Sequence, residues 1–360
     1  MSYNPFIKGN YPVGVRTVEL EGKDNTYTTE VWYPAAAEYR ATEAIDKFKI
    51  VDELPEATQE AVRNARSADG KRPIVMYWHG GYGHRREMAA MCVFLASHGF
   101  VVAAPDFPGD HITFMYGADP KIANTPVDAS AEARGRQGAE VIDLLADGND
   151  KFLKPIIDRD NIGSFGLSLG GFTTLAVNAT SARVKASLPI APAYGSRSPL
   201  PQMVRLTKFL RLEEWKSPAS TVVLTGSADA LVVVGDVREL YSRLPEPKRL
   251  AVLKDAGHLH WGDSAELIHE TIRLRYLSGE FPDPEIDGPA VGKAFRPFSE
   301  LCPAEHAIDA MRSIGLAHFE TNLKDCSEAR AFLASNLAKV FASRGIDVEV
   351  SDPQVMTVGN

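Results

Sequence analysis

The chain has 360 residues, of which 44% are hydrophobic and 24% are charged. A chain of this length buries about three-quarters of the surface it exposes when unfolded, so it can form a large core without disulfides. This composition excludes a wholly disordered, collagenous or disulfide-scaffold protein. The 47 acidic residues outnumber the 39 basic ones, which argues against charge-driven binding to nucleic acid or anionic lipid.

The cysteines Cys92, Cys302 and Cys326 are far apart and show no CxxC spacing. Sparse cysteines of this kind are typical of a reducing compartment. Residues 1–20 lack the apolar segment of a signal peptide. No window has the ~18 consecutive apolar residues of a membrane span. We therefore expect a cytoplasmic protein with no stable membrane insertion.

Turn signals divide most of the chain into short apolar segments that alternate with helical patterns. Residues 15–20 and 28–33 are rich in β-branched and aromatic side chains and predict two early strands. Residues 41–71 predict a charged excursion with a short helix. Further strands are then predicted at 74–78, 100–104, 161–165, 184–190, 221–224 and 249–253, and helices at 86–97, 130–146, 171–178 and 237–243.

Strands that alternate with helices imply parallel βαβ units with right-handed crossovers, and hence an α/β fold with a doubly wound, mostly parallel sheet. The strands are apolar throughout, which is typical of a sheet covered on both faces. After the last clear strand, residues 279–296 are rich in proline and glycine and predict a loop. Two helices are predicted at 304–323 and 327–343. The short segment 348–350 follows them and leads into a polar tail.

The strongest motif is Gly166-Leu167-Ser168-Leu169-Gly170, a G-x-S-x-G pattern between a predicted strand and a predicted helix. In that context the serine hydroxyl stands exposed on a sharp turn, and the glycines relieve crowding around it. The N-terminus of the following helix favours negative charge that develops beside it. Ser168 is therefore the predicted nucleophile, and an ordinary glycine-rich turn is the alternative.

A serine hydroxyl needs an adjacent base, and in this topology the acid and the histidine follow the serine in that order. Asp229 and His258 each come just after a predicted strand. His258 would take the proton from Ser168, and Asp229 would orient the imidazole. Asp255 is the alternative acid and His260 is the alternative base.

The segment Trp78-His79-Gly80-Gly81-Tyr82-Gly83 follows the predicted strand at 74–78. An oxyanion intermediate needs fixed N–H donors, and glycines let the backbone approach it closely. We expect the N–H groups of Leu169 and Gly81 to be these donors, with Tyr82 as the alternative to Gly81. His79 is expected to brace the loop through hydrogen bonds.

Residues 193–216 follow a strand and predict a cap segment over the nucleophile. Core packing and substrate contact are equally good explanations for the aromatic residues near the motifs, since aromatic side chains dominate cores as well. The candidate substrate-binding residues are Tyr82, Phe107, Tyr194, Trp215 and Trp261.

No metal and no cofactor is expected. The histidines lack the pattern of three or four ligands that a catalytic metal needs. No G-x-G-x-x-G opens the first βα unit, and residues 166–171 lack the Lys-Ser/Thr end of a phosphate loop. The basic side chains near the motifs are expected on solvated faces or in surface ion pairs: Arg85, Arg86, Arg134 and Arg136.

These motifs resemble those of the α/β-hydrolase superfamily, and within it those of esterases similar to platelet-activating-factor acetylhydrolase and dienelactone hydrolase. The similarity lies in residues 13–34, 78–83, 95–105, 164–171, 256–258 and 316–333. The resemblance implies the α/β-hydrolase fold, a triad of Ser168, Asp229 and His258, and hydrolysis of carboxylic esters without a cofactor.

The resemblance extends through the end of the chain, so it implies a single domain over residues 1–360. Additions to that domain are expected as the excursion at 41–71, the cap at 193–216, an insertion at 264–300 and C-terminal helices at 304–345.

We therefore expect a serine esterase that forms an acyl-enzyme and acts on short-chain or small apolar esters. Its partner would be a small-molecule ester and not a nucleic acid. The same triad can also open lactones, cleave carbon–carbon bonds or pass the acyl group to an acceptor other than water, and these activities are the alternatives. The sequence does not set the oligomeric state.

Overall fold

The computed structural model describes residues 3–41, 45–50, 56–108, 110, 127–148, 150–216, 219–280 and 285–351. Within these ranges the strands are β1 (Val13–Glu21), β2 (Thr26–Pro34), β3 (Asp46–Phe48), β4 (Ala57–Gln59), β5 (Val62–Arg63), β6 (Arg72–Trp78), β7 (Val101–Pro105), β8 (Ile157–Leu167), β9 (Val184–Ile190), β10 (Ser220–Gly226), β11 (Lys248–Leu253) and β12 (Val348–Val350).

The helices of the same ranges are α1 (Ala89–Ser97), α2 (Val127–Asp147), α3 (Leu169–Thr180), α4 (Pro201–Leu206), α5 (Val234–Arg243), α6 (Ala265–Ser278), α7 (Gly288–Ala294), α8 (Ala304–Leu323), α9 (Ser327–Ala334) and α10 (Leu337–Ala342). None of these helices has both the length and the apolar character needed to cross a membrane.

Ten strands form one sheet in the order β12-β11-β10-β9-β8-β6-β7-β2-β1-β5, and β3 pairs separately with β4. The six strands β6 to β11 are parallel to one another. β2 joins β7 in antiparallel fashion on one side, and β12 joins β11 in antiparallel fashion on the other. The predicted doubly wound, mostly parallel sheet is therefore confirmed.

Both faces of the sheet are buried under helices. In β6, Val75 and Tyr77 pack into the cluster that contains α1 and α8. Ile74, Met76 and Trp78, which alternate with them, pack into the cluster that contains α2. Every position from Ile74 to Trp78 therefore faces a core, which explains the continuous apolar runs of the sequence.

Most helices and strands form where the sequence predicts them, with shifts at the ends. α1 begins at Ala89 rather than at residue 86. The carboxylate of Asp263, which lies in the loop after β11, accepts a hydrogen bond from Ala90 N at 3.0 Å and so satisfies an N–H group of the first turn. His98 and Gly99 end α1 as predicted, with Gly99 at φ 92°.

Some local predictions are wrong. In the predicted excursion at 41–71, the described residues form three short strands, and the short helix expected there is not among residues 45–50 and 56–71; residues 42–44 and 51–55 lie outside the described ranges. The predicted loop at 279–296 contains α7, whose first turn is capped by Asp287. The predicted helix at 327–343 is split into α9 and α10, because the Asn336 side chain accepts a hydrogen bond from Lys339 N at 3.0 Å and starts a new helix there.

A buried histidine ties α8 to the sheet. His318 Nε2 lies 3.1 Å from the carbonyl oxygen of Ser220 at the start of β10, and the Asn322 amide lies 3.3 Å from His318 Nδ1. Burial lowers the pKa of His318 to about 4. The imidazole is therefore neutral at pH 7 and donates its proton to the Ser220 carbonyl.

We expect His318 to make the protein less stable in mild acid. An imidazole in the unfolded chain has a pKa of about 6.5, whereas the pKa of folded His318 is about 4. Between these values the unfolded chain binds a proton that the folded chain does not. The contribution of His318 to the free energy of unfolding therefore decreases as the pH is lowered from about 6.5 to about 4. In His318→Gln the amide can still donate to Ser220 but does not titrate.

Urea unfolding of wild type and His318→Gln at pH 7 and at about pH 4.5 measures this difference. The wild type should lose more stability between the two pH values than the variant does. Equal losses in the two proteins would contradict the expectation.

Candidate active site

The turn between β8 and α3 places Ser168 at the carboxyl edge of the sheet. Ser168 has φ 59°, a left-handed conformation that is uncommon for residues other than glycine. Its N–H donates to the Ile190 carbonyl at 2.9 Å, and its own carbonyl accepts from Ala193 N at 2.9 Å. The surrounding backbone therefore holds the strained conformation, as expected for the sharp turn predicted from the motif.

The glycines of the motif lie against the backbone of neighbouring strands. A Cβ atom at Gly170 would lie 1.9 Å from the Trp78 carbonyl oxygen, and one at Gly166 would lie 2.5 Å from the same oxygen. A Cβ atom at Gly171 would lie 2.8 Å from the Ile190 carbonyl oxygen. The turn can pack this closely on β6 and β9 only because these positions lack side chains.

Asp229 follows β10 and His258 follows β11, and these two strands are parallel neighbours. Asp229 Oδ2 lies 2.7 Å from His258 Nδ1, and both side chains are buried. Asp229 Oδ1 accepts hydrogen bonds from the N–H groups of Leu231 (2.9 Å) and Val232 (2.7 Å). Because the carboxylate can only accept, it places the imidazole proton on Nδ1 and leaves Nε2 as the basic nitrogen.

The alternative acid and base make other contacts. The Asp255 side chain is 44% exposed and pairs with Arg296, with 2.8 Å between Oδ1 and Nη1. His260 Nδ1 accepts from Gly257 N at 3.1 Å, and its Nε2 donates to a backbone carbonyl at 3.1 Å. Burial lowers the pKa of His260 to about 4. The backbone occupies both ring nitrogens of His260, so neither is free to act as a base.

The loop after β6 lies beside the turn that carries Ser168. A Cβ atom at Gly81 would lie 3.7 Å from the Leu169 side chain, so these two residues are neighbours. Leu169 is the first residue of α3, and its N–H has no acceptor within the helix. The two residues predicted as oxyanion donors therefore lie next to each other and next to Ser168.

His79 is fully buried beneath this loop. Phe107 N donates to His79 Nε2 at 3.1 Å, so the ring proton is on Nδ1, which donates to the Gly80 carbonyl at 2.8 Å. Burial, and after it the charge of Arg134, lowers the pKa of His79 to about 4. The neutral imidazole thus ties the loop to the chain after β7, in agreement with the bracing role expected of it.

The prediction of a solvated Arg134 is wrong. Its side chain is 0% exposed and donates to the carbonyls of His79 (2.6 Å) and Gly80 (3.2 Å). Its charge is balanced by Asp110, whose Oδ2 lies 2.7 Å from Arg134 Nη2. The residue that sequence reasoning placed in solvent therefore lies directly under the predicted oxyanion loop.

A signal for this burial was present in the helical spacing. Arg134 lies three residues after Ala131 and seven before Val141, so all three lie on the same face of α2. Ala131 and Val141 are buried, whereas Arg136 on the opposite face is exposed. An arginine on the apolar face of a helix needs a buried hydrogen-bond acceptor. Arg134 lies on that face and has this requirement, whereas Arg136 does not.

The expectation of surface ion pairs also fails for Arg86. Its Nη2 lies 3.0 Å from Glu30 Oε2, and the Glu30 side chain is 0% exposed. Arg85 and Arg63 approach the same carboxylate. Several arginines thus form ion pairs with a buried glutamate in β2. The burial of this glutamate depends on the neighbouring strands rather than on the local sequence.

Glu87 is another residue that sequence reasoning missed. Glu87 Oε2 accepts hydrogen bonds from the Tyr77 hydroxyl at 2.7 Å and from Gly80 N at 2.9 Å. Burial raises the pKa of the Glu87 carboxyl. The side chain therefore links the end of β6 to the loop that follows it.

The candidate substrate-binding aromatics lie in different surroundings. Phe107, Trp261 and Tyr194 are 0%, 1% and 3% exposed and pack in the core. The ring of Phe107 lies under the guanidinium of Arg134, with 4.3 Å from Cζ to the ring centre. Tyr82 is half-buried on the loop after β6, with φ 58°. Of these four, Tyr82 has the most surface available to a ligand.

The predicted cap segment at 193–216 contains α4 and packs against α2 and α3. Trp215 lies near its end, beside Lys216, whose N–H donates to the Asn178 carbonyl at 2.8 Å. Asn178 is ten residues beyond Ser168, which corresponds to about 15 Å along α3. This placement argues against contact between Trp215 and an acyl group on Ser168.

Comparison with known proteins bears on this arrangement. Ferulic acid esterase from Streptomyces cinnamoneus matches the structure with a TM-score of 0.58 at 19% sequence identity, over 88% of this chain and 91% of that chain. The chain has the α/β-hydrolase fold. The family model of platelet-activating factor acetylhydrolase, isoform II, matches residues 23–123, which include the loop after β6. No curated protein sequence shows significant similarity.

The predicted resemblance to serine esterases of the α/β-hydrolase superfamily is confirmed by these two matches. The family match also supports the prediction that the chain is a serine ester hydrolase. The matched family segment ends before Ser168, Asp229 and His258, so the roles of these residues depend on the geometry described above.

We expect Gly170→Ala to be poorly tolerated, because the added methyl would overlap the Trp78 carbonyl oxygen at 1.9 Å. The overlap should lower the free energy of unfolding by about 1–3 kcal/mol and slow the labelling of Ser168 by a fluorophosphonate. Gly262→Ala is the matched control, since a Cβ atom there meets no atom within 4 Å. A Gly170→Ala protein as stable and as reactive as wild type would contradict the close packing of the turn.

Proposed function

We propose that the protein hydrolyses carboxylic esters, with Ser168 as the nucleophile, His258 as the general base and acid, and Asp229 as the residue that orients His258. The observation that carries this proposal is the contact of 2.7 Å between His258 Nδ1 and Asp229 Oδ2. It is formed at the same edge of the sheet as the strained turn that carries Ser168. This is the arrangement that a weak hydroxyl nucleophile needs.

The reaction follows from the hydrogen-bonding capacity of these groups. His258 Nε2 takes the proton of the Ser168 hydroxyl while the oxygen attacks the ester carbonyl carbon. The tetrahedral adduct breaks its bond to the alkoxy oxygen, which leaves as the alcohol with the proton from His258. Water then attacks the acyl-enzyme with His258 again as the base, and the acid is released with Ser168 restored.

The negative oxygen of the adduct would accept hydrogen bonds from the N–H groups of Gly81 and Leu169. Leu169 N belongs to the first turn of α3, whose positive end also favours the negative charge. Tyr82 N already donates to Asp110 Oδ1 at 3.2 Å, which favours Gly81 over Tyr82 as the second donor. Such fixed donors are commonly the largest single source of rate enhancement in acyl transfer.

We infer that the substrates are esters with a short or small apolar acyl group. The matching family model is named for an acetylhydrolase, and the matching structure is named a ferulic acid esterase. Both names denote hydrolases of carboxylic esters. Ser168 is half-buried, which leaves part of its surface for a small ester to approach.

The direct test is hydrolysis of p-nitrophenyl acetate by wild type, Ser168→Ala and Ser242→Ala. The first variant should lose at least about a thousandfold in kcat, because the nucleophile is gone, and its melting temperature should stay close to that of wild type. Ser242 is exposed on α5, so its variant serves as the matched control. Intact-mass analysis should find a fluorophosphonate adduct on wild type and none on Ser168→Ala. If Ser168→Ala keeps either the hydrolytic activity or the adduct, Ser168 is not the nucleophile.

A second test separates the two candidate acids. Asp229→Asn should lower kcat by about 10³–10⁴, because an amide that donates to Nδ1 favours the wrong tautomer of the imidazole. Its oxygen can still accept from the backbone N–H groups that hold Asp229. Asp255→Asn should keep kcat within about twofold, since surface ion pairs contribute little. The opposite ranking of the two variants would exclude Asp229 as the acid.

A further inference from the structure

The loop after β6 presents successive backbone N–H groups, and two of them already have carboxylate partners. Gly80 N donates to Glu87 Oε2 at 2.9 Å, and Tyr82 N donates to Asp110 Oδ1 at 3.2 Å. Gly81 N, which lies between them, has no hydrogen-bond partner among the residues that the structure describes. It is therefore the N–H of this stretch that is available to an oxyanion.

The carbonyl of the same peptide group is held from the other side. Gly80 O accepts hydrogen bonds from His79 Nδ1 (2.8 Å), Arg134 Nη2 (3.2 Å) and Gly83 N (3.2 Å). The Gly80 carbonyl and the Gly81 N–H belong to one planar trans peptide unit, so they point in opposite directions. Holding the carbonyl therefore aims the Gly81 N–H away from Arg134.

Arg134 also holds the preceding peptide and is itself held by a carboxylate. Its Nη1 donates to the His79 carbonyl at 2.6 Å, and its Nε and Nη2 donate to Asp110 Oδ2 at 3.1 Å and 2.7 Å. Arg134 is 0% exposed and Asp110 is 4% exposed. A lysine ammonium cannot make this planar, forked set of contacts.

We propose that Arg134 and Asp110 are positioning residues that fix the Gly80–Gly81 peptide, so that the Gly81 N–H faces the oxyanion formed on Ser168. This inference rests on the proposed function. The pair is a weak source of stability, because the desolvation of two buried charges offsets much of their attraction. Among the described residues, Arg134 also donates to two carbonyls of the loop, and Asp110 accepts a hydrogen bond from the Tyr82 N–H.

Arg134→Lys and Asp110→Asn test the proposal, with Arg136→Lys as the control on the exposed face of the same helix. Rates of p-nitrophenyl acetate hydrolysis are divided by the number of sites that a fluorophosphonate titrates. Loss of an oxyanion donor costs about 10²–10³ in kcat, so a misaimed donor should cost roughly 10- to 100-fold in kcat with KM within about threefold. The control should match wild type.

The same variants are measured with butylboronic acid, whose adduct with the serine carries a negative oxygen like that of the transition state. Its inhibition constant should rise in proportion to the loss in kcat, because only the oxyanion contact is weakened. A purely structural role for the pair would reduce the number of titratable sites and leave the kcat per site and the inhibition constant unchanged. That result in Arg134→Lys would overturn the proposal.

Two further outcomes keep the test decisive. If wild type shows no ester hydrolysis that Ser168→Ala removes, the proposed function fails rather than the positioning role. If neither Arg134→Lys nor Asp110→Asn folds, a crystal structure of wild type with butylboronic acid decides. The boronate oxygen should lie about 2.7–3.1 Å from Gly81 N with Arg134 still on the Gly80 carbonyl. An oxygen bound by Tyr82 N instead would overturn the proposal.

Discussion

The close approach of two backbone segments determines how the rest of the site is arranged. The turn after β8 packs on the end of β6 so tightly that a Cβ atom at Gly170 would lie 1.9 Å from the Trp78 carbonyl oxygen. This contact places the start of α3 and the loop after β6 side by side. The strained Ser168 and the Gly81 peptide are consequently neighbours, although 87 residues separate them along the chain. Any side chain at the point of contact would push apart Ser168 and the N–H groups that we propose as oxyanion donors.

A buried polar layer beneath the loop supports this arrangement. Arg134 contacts the loop from α2 and Asp110 contacts it from the segment after β7, whereas His79 and Glu87 belong to the loop itself. Buried polar groups are costly unless each has a partner, and among the described residues these partners include the backbone groups of His79, Gly80 and Tyr82. Such a layer fixes the direction of the peptide groups before a substrate arrives, which is the condition for stabilising charge without reorganisation.

The loop that carries His258 is joined to the same framework. Asp263 lies five residues beyond His258 and accepts a hydrogen bond from Ala90 N at the start of α1. α1 in turn follows the loop after β6, so one carboxylate links the loop that carries His258 to the loop that carries Gly81. Burial raises the pKa of Asp263 to about 6, and the helix N-terminus is a favourable place for its negative form.

The sequence by itself determined the α/β class, most strands and helices, and the residues Ser168, Asp229 and His258 as candidates. It could do so because hydrophobic periodicity, glycine spacing and chain order are local properties or depend only on topology. The tertiary structure supports one proposed acid and one proposed base at the two later loops: Asp229 contacts His258, whereas Asp255 pairs with Arg296 and the backbone occupies both ring nitrogens of His260. It also showed that Arg134, which was predicted at the surface, is buried beneath the loop after β6. Trp215, a candidate substrate-binding residue, lies beside Lys216 at the far end of α3 from Ser168. Those outcomes depend on which segments meet across the sheet, and a contact between residues far apart in the chain leaves no signal in the local pattern of either one.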